Sequence, residues 1–192
     1  MPTPWLSGDR QPIVGYLGNV ASSKGAHVVV DVAERLADRP NVRFVIVGDV
    51  WFPHADRGYG SRLRARMRDS PAGDRVAWLE TRSPREAMSA IDVLLHPSVE
   101  PEPFGRVLVE AMIARRPIVA VGHGGPAEIL DGSTAKLTPP GDLDALAAAI
   151  RCVVDDRSAS SAMADRARVL ADEFEPMRIA KAMDAAYASM RR

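Results

Sequence analysis

The chain has 192 residues, of which 46% are hydrophobic, and it carries 25 basic and 25 acidic side chains. This length can bury a real core, and the balanced charge gives no overall field that would attract nucleic acid or an acidic membrane. The N-terminus lacks the cationic start and apolar run of a signal peptide. No apolar stretch approaches the roughly 20 residues of a membrane span. The lone Cys152 cannot form an internal disulfide. These features predict a soluble, cytoplasmic protein.

Short β-branched segments alternate with helical patterns along the whole chain. The segments that predict strands are residues 12–16, 42–48, 75–79, 92–96, 117–121 and 135–138. The patterns that predict helices are one between Gly25 and Pro40, residues 60–68, residues 84–90 with Ser83 as cap, residues 106–115, a start at Pro126, and three more after residue 142. Continuous apolar strands that alternate with helices indicate a parallel sheet covered on both faces.

The loops that follow the predicted strands contain most of the unusual residues. Parallel sheets of this kind bind ligands beyond the carboxyl ends of their strands. The loops at that edge are residues 18–25, 48–58, 80–83, 96–105 and 122–128. A functional site is therefore expected among these loops.

Glu110 stands alone among Val, Leu, Ala, Met and Ile in the predicted helix over residues 106–115. An unpaired buried carboxylate is costly, so Glu110 needs hydrogen-bond donors. Two interpretations stay open: a nearby Arg106 or a backbone amide satisfies it within the protein, or it accepts the hydroxyl protons of a vicinal diol such as a ribose. Gly105 and the unpaired amides at the start of this helix are also suited to a phosphate.

Two glycine-bounded loops allow both a structural and a functional interpretation. Lys24 lies at a predicted helix start, where a cation opposes the helix dipole unless an anion is near, although a solvated lysine is the simpler interpretation. Residues 122–128 fit a plain strand-to-helix turn, from which His123 could contact a ligand.

Several other chemistries lack their motifs. The four histidines are scattered without metal-ligand spacing, and no Walker A, Gly-x-Gly-x-x-Gly or Gly-x-Ser-x-Gly pattern is present. The five arginines between residues 57 and 68 would spread around a helix, which favours a solvated face over contact with an anionic membrane or a partner. No metal, nucleic-acid or hydrolase site is therefore predicted.

An ordered series of short motifs resembles one family. The series comprises Glu102-Pro-Phe-Gly-Arg-Val-Leu-Val-Glu110 followed by Ala-Met, then Gly124-Gly125 with Glu128, Asp131-Gly132, and residues 139–142. It is similar to the C-terminal, donor-binding domain of retaining glycosyltransferases with the GT-B architecture, in the large group (group 1, or family 4) that includes bacterial mannosyl- and glucosyltransferases. The resemblance covers residues 12–187. It implies a Rossmann-like, doubly wound parallel sheet of about six strands with helices on both faces.

The resemblance implies roles for the matching residues. Glu110 would bind the ribose of a UDP-, GDP- or ADP-sugar, while Glu102 and Lys24 are the candidate catalytic residues, near the sugar hydroxyls and the departing diphosphate. The amides around Gly105 would lie near the diphosphate, and the loop from Leu79 to Thr81 against the base. The matching nucleotide-binding positions are Gly18, Asn19, Lys24, Leu79, Thr81, Phe104, Gly105, Arg106, Val107 and Glu110. Because a lysine and a helix N-terminus could stabilise the leaving group, no metal and no other cofactor is implied.

Three positions depart from the family pattern. The usual Arg of the first loop is Asn19, which cannot make a bidentate cationic contact, so diphosphate binding would depend on Lys24 and Arg106. A Gly common after the third strand is Glu80, which would place negative charge near the nucleotide. A Gly usual before the last strand is Ala135, a minor change.

Members of the family have two Rossmann-like halves, of which the acceptor half comes first. Residues 1–192 match only the second half, so we expect a single donor-binding domain without the N-terminal acceptor domain, as a piece of a longer enzyme or as a half that pairs with another polypeptide. Such a chain should bind donor but transfer little alone. The final helix, residues 176–190, normally crosses back to the first half.

Two alternatives remain. A non-catalytic glycosyltransferase-like module, kept for nucleotide-sugar binding or protein assembly, is favoured slightly by Asn19. An enzyme of another class on a similar fold, such as a nucleotide-sugar epimerase, is disfavoured by the spacing of Glu102 and Glu110. Any membrane contact is expected to be peripheral, at the inner face.

Overall fold

Six parallel strands form one sheet in the computed structural model, which describes residues 10–51, 56–80 and 83–190. The strands are β1 (Ile13–Leu17), β2 (Arg43–Val47), β3 (Val76–Leu79), β4 (Val93–His96), β5 (Ile118–Val121) and β6 (Lys136–Thr138). Their order across the sheet is β3-β2-β1-β4-β5-β6. This is the order of a doubly wound Rossmann-like sheet, so the predicted fold class is confirmed.

Helices follow the strands at nearly the predicted positions. Within the described ranges they are α1 (Val28–Arg35), α2 (Tyr59–Asp69), α3 (Pro84–Ala90), α4 (Arg106–Ile113), α5 (Gly125–Ile129), α6 (Leu143–Asp155), α7 (Arg157–Leu170) and α8 (Pro176–Met190). The predicted cap of α3 is a reciprocal one: the Ser83 hydroxyl accepts from the Glu86 amide, and the Glu86 carboxylate accepts from the Ser83 amide, both at 3.3 Å.

Each face of the sheet carries its own hydrophobic core. Phe44 and Ile46 of β2 belong to a core shared with α1 and α6, whereas Val45 and Val47 of the same strand belong to a core shared with α3 and α4. Successive side chains of a strand point to opposite faces, so a strand that is apolar throughout has to be covered on both sides.

The strand order reverses at β1, which pairs with β2 on one side and with β4 on the other. The chain leaving β1 continues into α1, which packs in the first core, and the chain leaving β4 continues into α4, which packs in the second. The two connections diverge to opposite faces. A crevice therefore opens between them at the carboxyl edge of the sheet.

Helix α1 begins later than the sequence predicted. Lys24 lies in a run of turns over residues 22–27, and Gly25 has a φ of 75°. A Cβ on residue 25 would lie 2.1 Å from the Pro97 carbonyl oxygen, so the loop after β1 presses against the loop after β4 before the helix can form. The predicted placement of Lys24 at a helix start is wrong, and the opposition to the helix dipole does not apply to it.

Helix α8 contributes no buried residue. It packs against the short 3-10 helix Ala171–Phe174, while Ile179, Met183, Tyr187 and Met190 are exposed. These side chains recur at helical spacing on one face. Within the described part of the chain, α8 thus presents an uncovered apolar stripe.

Gly48 lets the loops after β1 and β2 lie against each other. It has a φ of 147° and donates its amide to the Leu79 carbonyl at 3.1 Å. A Cβ on residue 48 would lie 1.8 Å from the Gly18 carbonyl oxygen. Only glycine satisfies both the backbone conformation and this close approach.

We predict that Gly48→Ala lowers the free energy of unfolding by about 2 kcal/mol or more, through steric overlap and backbone strain. Gly132→Ala is the matched control, because a Cβ at residue 132 meets no atom within 4 Å. Urea denaturation followed by circular dichroism measures both variants. Equal midpoints for the two would contradict the prediction.

Candidate functional site

A cavity of about 620 Å³ lies at the carboxyl edge of the sheet, where β1, β2 and β4 end. The predicted site residues that line it are Gly18, Asn19, Lys24, Glu102, Phe104, Gly105, Arg106, Val107 and Glu110. Leu79 does not line the cavity; the residue is 44% exposed and its carbonyl accepts a hydrogen bond from the Gly48 amide. Thr81 lies outside the described residues, so its role stays a prediction.

Sequence reasoning missed a second group of lining residues. They are Tyr16, Leu17, Val47, Gly48, Trp51, Pro84, Ala87, Leu95, His96 and Pro103. Most of them are apolar and were counted only as parts of strands or helices. Tyr16 and His96 carried a usable signal, because each is a polar residue near the carboxyl end of an apolar strand.

Lys24 and Glu102 form an ion pair across the crevice between the loops after β1 and β4. The side chain of Lys24 is 35% exposed and that of Glu102 is 17% exposed. The two predicted catalytic residues are thus brought together and neutralise each other in the ligand-free site. Each charge is thus partly compensated by the other before any ligand binds.

Gly124 and Gly125 pack against the backbone of the loop that carries Glu102. The Gly125 amide donates to the Glu102 carbonyl at 2.6 Å, and Gly124 has a φ of 61°. A Cβ on residue 124 would lie 2.5 Å from the Glu102 carbonyl oxygen, and one on residue 125 would lie 2.6 Å from that of Phe104. This loop is therefore more than a strand-to-helix turn, since its glycines let the loop that carries Glu102 pack against it. His123 does not line the cavity; its Nε2 lies 3.0 Å from the Ser98 carbonyl oxygen.

Glu110 faces the cavity rather than the core. Helix α4 buries Leu108, Ala111 and Met112, which share its opposite face. In the described ranges no group donates a hydrogen bond to the Glu110 carboxylate. Burial raises the pKa of Glu110, and the charge of Arg106 opposes that rise. The carboxylate is partly desolvated, lacks a donor within the described protein, and borders an open cavity.

The N-terminus of α4 forms another part of the wall. Its N-cap, Gly105, is left-handed with a φ of 83° and has no side-chain cap. A Cβ there would lie 2.9 Å from Cδ1 of Leu108. The first amides of the helix, at Arg106 and Val107, therefore remain available to an anion in the cavity.

His96 and Tyr16 add neutral polar groups to the wall. Burial lowers the pKa of His96 to about 4, so its ring is neutral at pH 7. Burial also raises the pKa of Tyr16, whose hydroxyl donates to the Asn19 carbonyl at 2.5 Å. Among the described residues, the charged side chains on the cavity wall are those of Lys24, Glu102, Arg106 and Glu110.

The three positions that depart from the family pattern lie in different environments. The Asn19 side-chain oxygen accepts from the Trp51 amide at 3.0 Å, so it is engaged within the protein. Glu80 is exposed and does not line the cavity. Ala135 is fully buried in the core beneath α4.

The arginines of α2 are used mainly in surface contacts away from the cavity. Arg66 pairs with Glu34 at 2.5 Å and with Asp31 at 3.1 Å, both on α1. The Arg64 guanidinium lies 4.1 Å from the centre of the Trp78 ring. These contacts agree with the predicted solvated face.

The described part of the chain shows neither a membrane-spanning helix nor a metal-binding cluster. No helix in it has the length and apolarity that a membrane crossing would need. No group of three or more histidine, cysteine, aspartate or glutamate side chains in it is arranged to hold a metal ion.

Comparison with known proteins gives a consistent result. Residues 3–170 match the family model described as Glycosyl transferases group 1. The chain is 34% identical over 175 residues to the 2-deoxystreptamine glucosyltransferase of Streptomyces kanamyceticus, covering 88% of this chain and 43% of that protein.

Solved structures agree in fold. The Anabaena protein Alr3699/HepE in complex with UDP superposes with a TM-score of 0.86 at 30% identity, covering 94% of this chain and 49% of that one. The complex of the same protein with UDP-glucose superposes with a TM-score of 0.84 at 28% identity, covering 96% of this chain and 50% of that one. The chain thus spans about half the length, or less, of these relatives.

We predict that Glu102→Gln tightens the binding of a nucleoside diphosphate about two- to fivefold, because Lys24 loses its counter-ion and becomes available to the phosphates. Glu100→Gln is the matched control, since Glu100 is exposed, lies off the cavity wall and changes the net charge equally. Calorimetric titration compares both variants with the parent chain. Unchanged or weaker binding by Glu102→Gln would contradict the ion-pair argument.

We also predict that Glu110→Gln raises the free energy of unfolding at pH 7. A carboxyl whose pKa is raised by folding destabilises the folded state increasingly as the pH rises through its titration range. The gain should disappear as the pH falls below the unfolded-state pKa of about 4.3. Urea denaturation across this pH range tests it, with the exposed Glu128→Gln as control. A pH-independent difference would count against the proposed cause.

Proposed function

Because the chain belongs to the glycosyl transferases group 1 family, we propose that it is the donor-binding half of a retaining glycosyltransferase, which binds a nucleoside-diphosphate sugar for transfer of the sugar to an acceptor hydroxyl. The observation that carries the proposal is the meeting of four features in one cavity. These are Lys24, Glu102, the uncapped start of α4, and Glu110.

The ribose, the diphosphate and the sugar of the donor each have a suitable group in this cavity. Glu110, which has no donor from the described protein, accepts hydrogen bonds from the hydroxyl groups of the ribose. The diphosphate lies against the amides of Arg106 and Val107, where the helix dipole favours negative charge. Glu102 approaches the hydroxyls of the sugar. The roles of Leu79 and Thr81 near the base remain predictions from the resemblance.

The proposed chemistry uses charges that the chain itself supplies. When the bond between the anomeric carbon and the diphosphate breaks, negative charge develops on the departing phosphate oxygen. Lys24, once released from Glu102, and the α4 amides stabilise that charge, and Glu102 is released to bind the sugar. No metal ion is required in this scheme. Retention means that the acceptor oxygen bonds to the face from which the diphosphate left.

The uridine nucleotides are the first donors to test. Alr3699/HepE has been crystallised with UDP and with UDP-glucose. Its matching half covers 94% to 96% of the present chain. GDP- and ADP-sugars stay open, because Leu79 does not line the cavity and Thr81 lies outside the described residues.

A second protein half is expected to bind the acceptor. The relatives are about twice as long as this chain or longer, and α8 presents an apolar stripe that its own described residues leave uncovered. We propose that this stripe contacts an N-terminal GT-B half or a partner chain. The enzyme is expected to act in the cytoplasm, with at most a peripheral membrane contact.

A non-catalytic nucleotide-sugar-binding module is the second candidate. Asn19 favours it, because its side chain is engaged by Trp51 and offers no cation to the diphosphate. Sugar transfer after an acceptor half is supplied separates the two candidates: an enzyme half regains transfer, and a binding module does not.

The test of donor binding is calorimetric titration of the chain with UDP-, GDP- and ADP-sugars without metal. We expect saturable binding of one series, weakened at least about tenfold by Glu110→Ala, since hydrogen bonds to a charged group are lost. Glu128→Ala is the control, because Glu128 is exposed and off the cavity wall. A folded chain that binds none of the three series would overturn the proposal.

A further inference from the structure

The loops after β1 and β2 are joined side by side along the cavity wall. The Gly18 amide donates to the Val47 carbonyl at 3.0 Å, and the Val20 amide donates to the Asp49 carbonyl at 2.9 Å. Asn19 continues this ladder with its side chain, whose oxygen accepts from the Trp51 amide at 3.0 Å. The position of Trp51 therefore depends directly on the residue at position 19.

Asn19 is itself held from the other side. The Tyr16 hydroxyl donates to the Asn19 carbonyl at 2.5 Å, and Tyr16 is buried at the end of β1. The residue that the family usually has here, arginine, carries only donors on its side chain and could not accept from the Trp51 amide. An asparagine at position 19 thus lacks the cation that an arginine would place near the diphosphate, but it holds the loop after β2 through the Trp51 amide.

Trp51 is an exposed aromatic side chain at the edge of the cavity. It is 57% exposed, yet it lines the cavity together with Asn19 and Gly48. In the described part of the chain no group accepts a hydrogen bond from its indole N–H. Its backbone is anchored by Asn19, while its ring remains available as a flat surface.

The cavity wall is divided by chemistry. Its charged groups lie on α4 and in the loops that carry Lys24 and Glu102, whereas Val47, Pro84 and Ala87 add apolar surface from β2 and α3. Helix α3 packs against α4, so this apolar part adjoins the helix that carries Glu110. A nucleotide sugar has one flat, unsaturated group, its base. That group is suited to an apolar wall with an aromatic side chain.

We propose that Trp51 stacks on the base of the donor nucleotide and that Asn19 is the positioning residue that holds it there. The inference rests on the proposed nucleotide-sugar site and deepens it, because it assigns the base to a surface that the family resemblance did not indicate. It also gives Asn19 a function in place of the missing cation. Aromatic stacking is sequence-tolerant, so it adds affinity for any base.

The test compares UDP with inorganic pyrophosphate, which has the phosphates but no base. Trp51→Ala is expected to weaken UDP binding about tenfold and to leave pyrophosphate binding unchanged. Trp51→Phe, which keeps an aromatic ring, should bind UDP within about twofold of the parent chain. In the parent chain, UDP should also quench a part of the tryptophan fluorescence that is absent in Trp51→Phe.

The positioning role of Asn19 has its own variants. Asn19→Ala should lower the ratio of UDP affinity to pyrophosphate affinity, because Trp51 loses its anchor. Asn19→Asp keeps an oxygen that accepts from the Trp51 amide, so it should keep that ratio even though its added charge weakens both ligands. A purely structural role would lower the melting temperature without changing the ratio.

The outcomes separate this inference from the proposed function. A parent chain that binds neither UDP nor another nucleotide overturns both. A parent chain that binds UDP, together with a folded Trp51→Ala variant that binds it equally well or loses pyrophosphate to the same extent, overturns the stacking inference alone. A ratio that is unchanged in Asn19→Ala overturns the positioning role.

Discussion

The reversal of strand order at β1 is the constraint on which the rest of the structure depends. Because β2 and β4 flank β1, the chain leaves β1 and β4 toward opposite faces of the sheet and cannot fill the space between. The loop carrying Lys24 and the loop carrying Glu102 meet across that space. Glycines at the contact points, such as Gly25 against Pro97, allow the backbones to approach closely enough for the side chains to pair.

Charged side chains on the described part of the cavity wall lie near side chains of opposite charge. Lys24 is paired with Glu102, and Arg106 acts on Glu110 through its charge. Opposite charges that lie close together in a partly buried wall offset part of each other's desolvation cost. Under the proposed function, a nucleoside-diphosphate sugar would compete with these internal interactions. Binding the phosphates at Lys24 and the sugar at Glu102 are therefore coupled steps in the proposed mechanism.

Much of the fold was predictable because its signals are local. Val45 and Ile46 are successive apolar residues of a strand, so their side chains point to opposite faces of the sheet. Ser83 followed by Pro84 and Glu86 indicates a capped helix. The start of α1 was misplaced, because the close approach of Gly25 to Pro97 joins residues far apart in the sequence. Trp51 was missed for the same reason. Its anchor is a side chain 32 positions earlier, which no local pattern records.

The sequence by itself determined the alternation of strands and helices, the family, and nine of the residues that line the cavity, since periodicity and ordered motifs are written in contiguous residues. Only the tertiary structure decided that Lys24 pairs with Glu102, that Glu110 faces the cavity without a donor from the described protein, and that Asn19 holds Trp51. Each of these depends on distances between loops that the sheet brings together. Such distances follow from strand order and close packing, which a linear pattern does not contain.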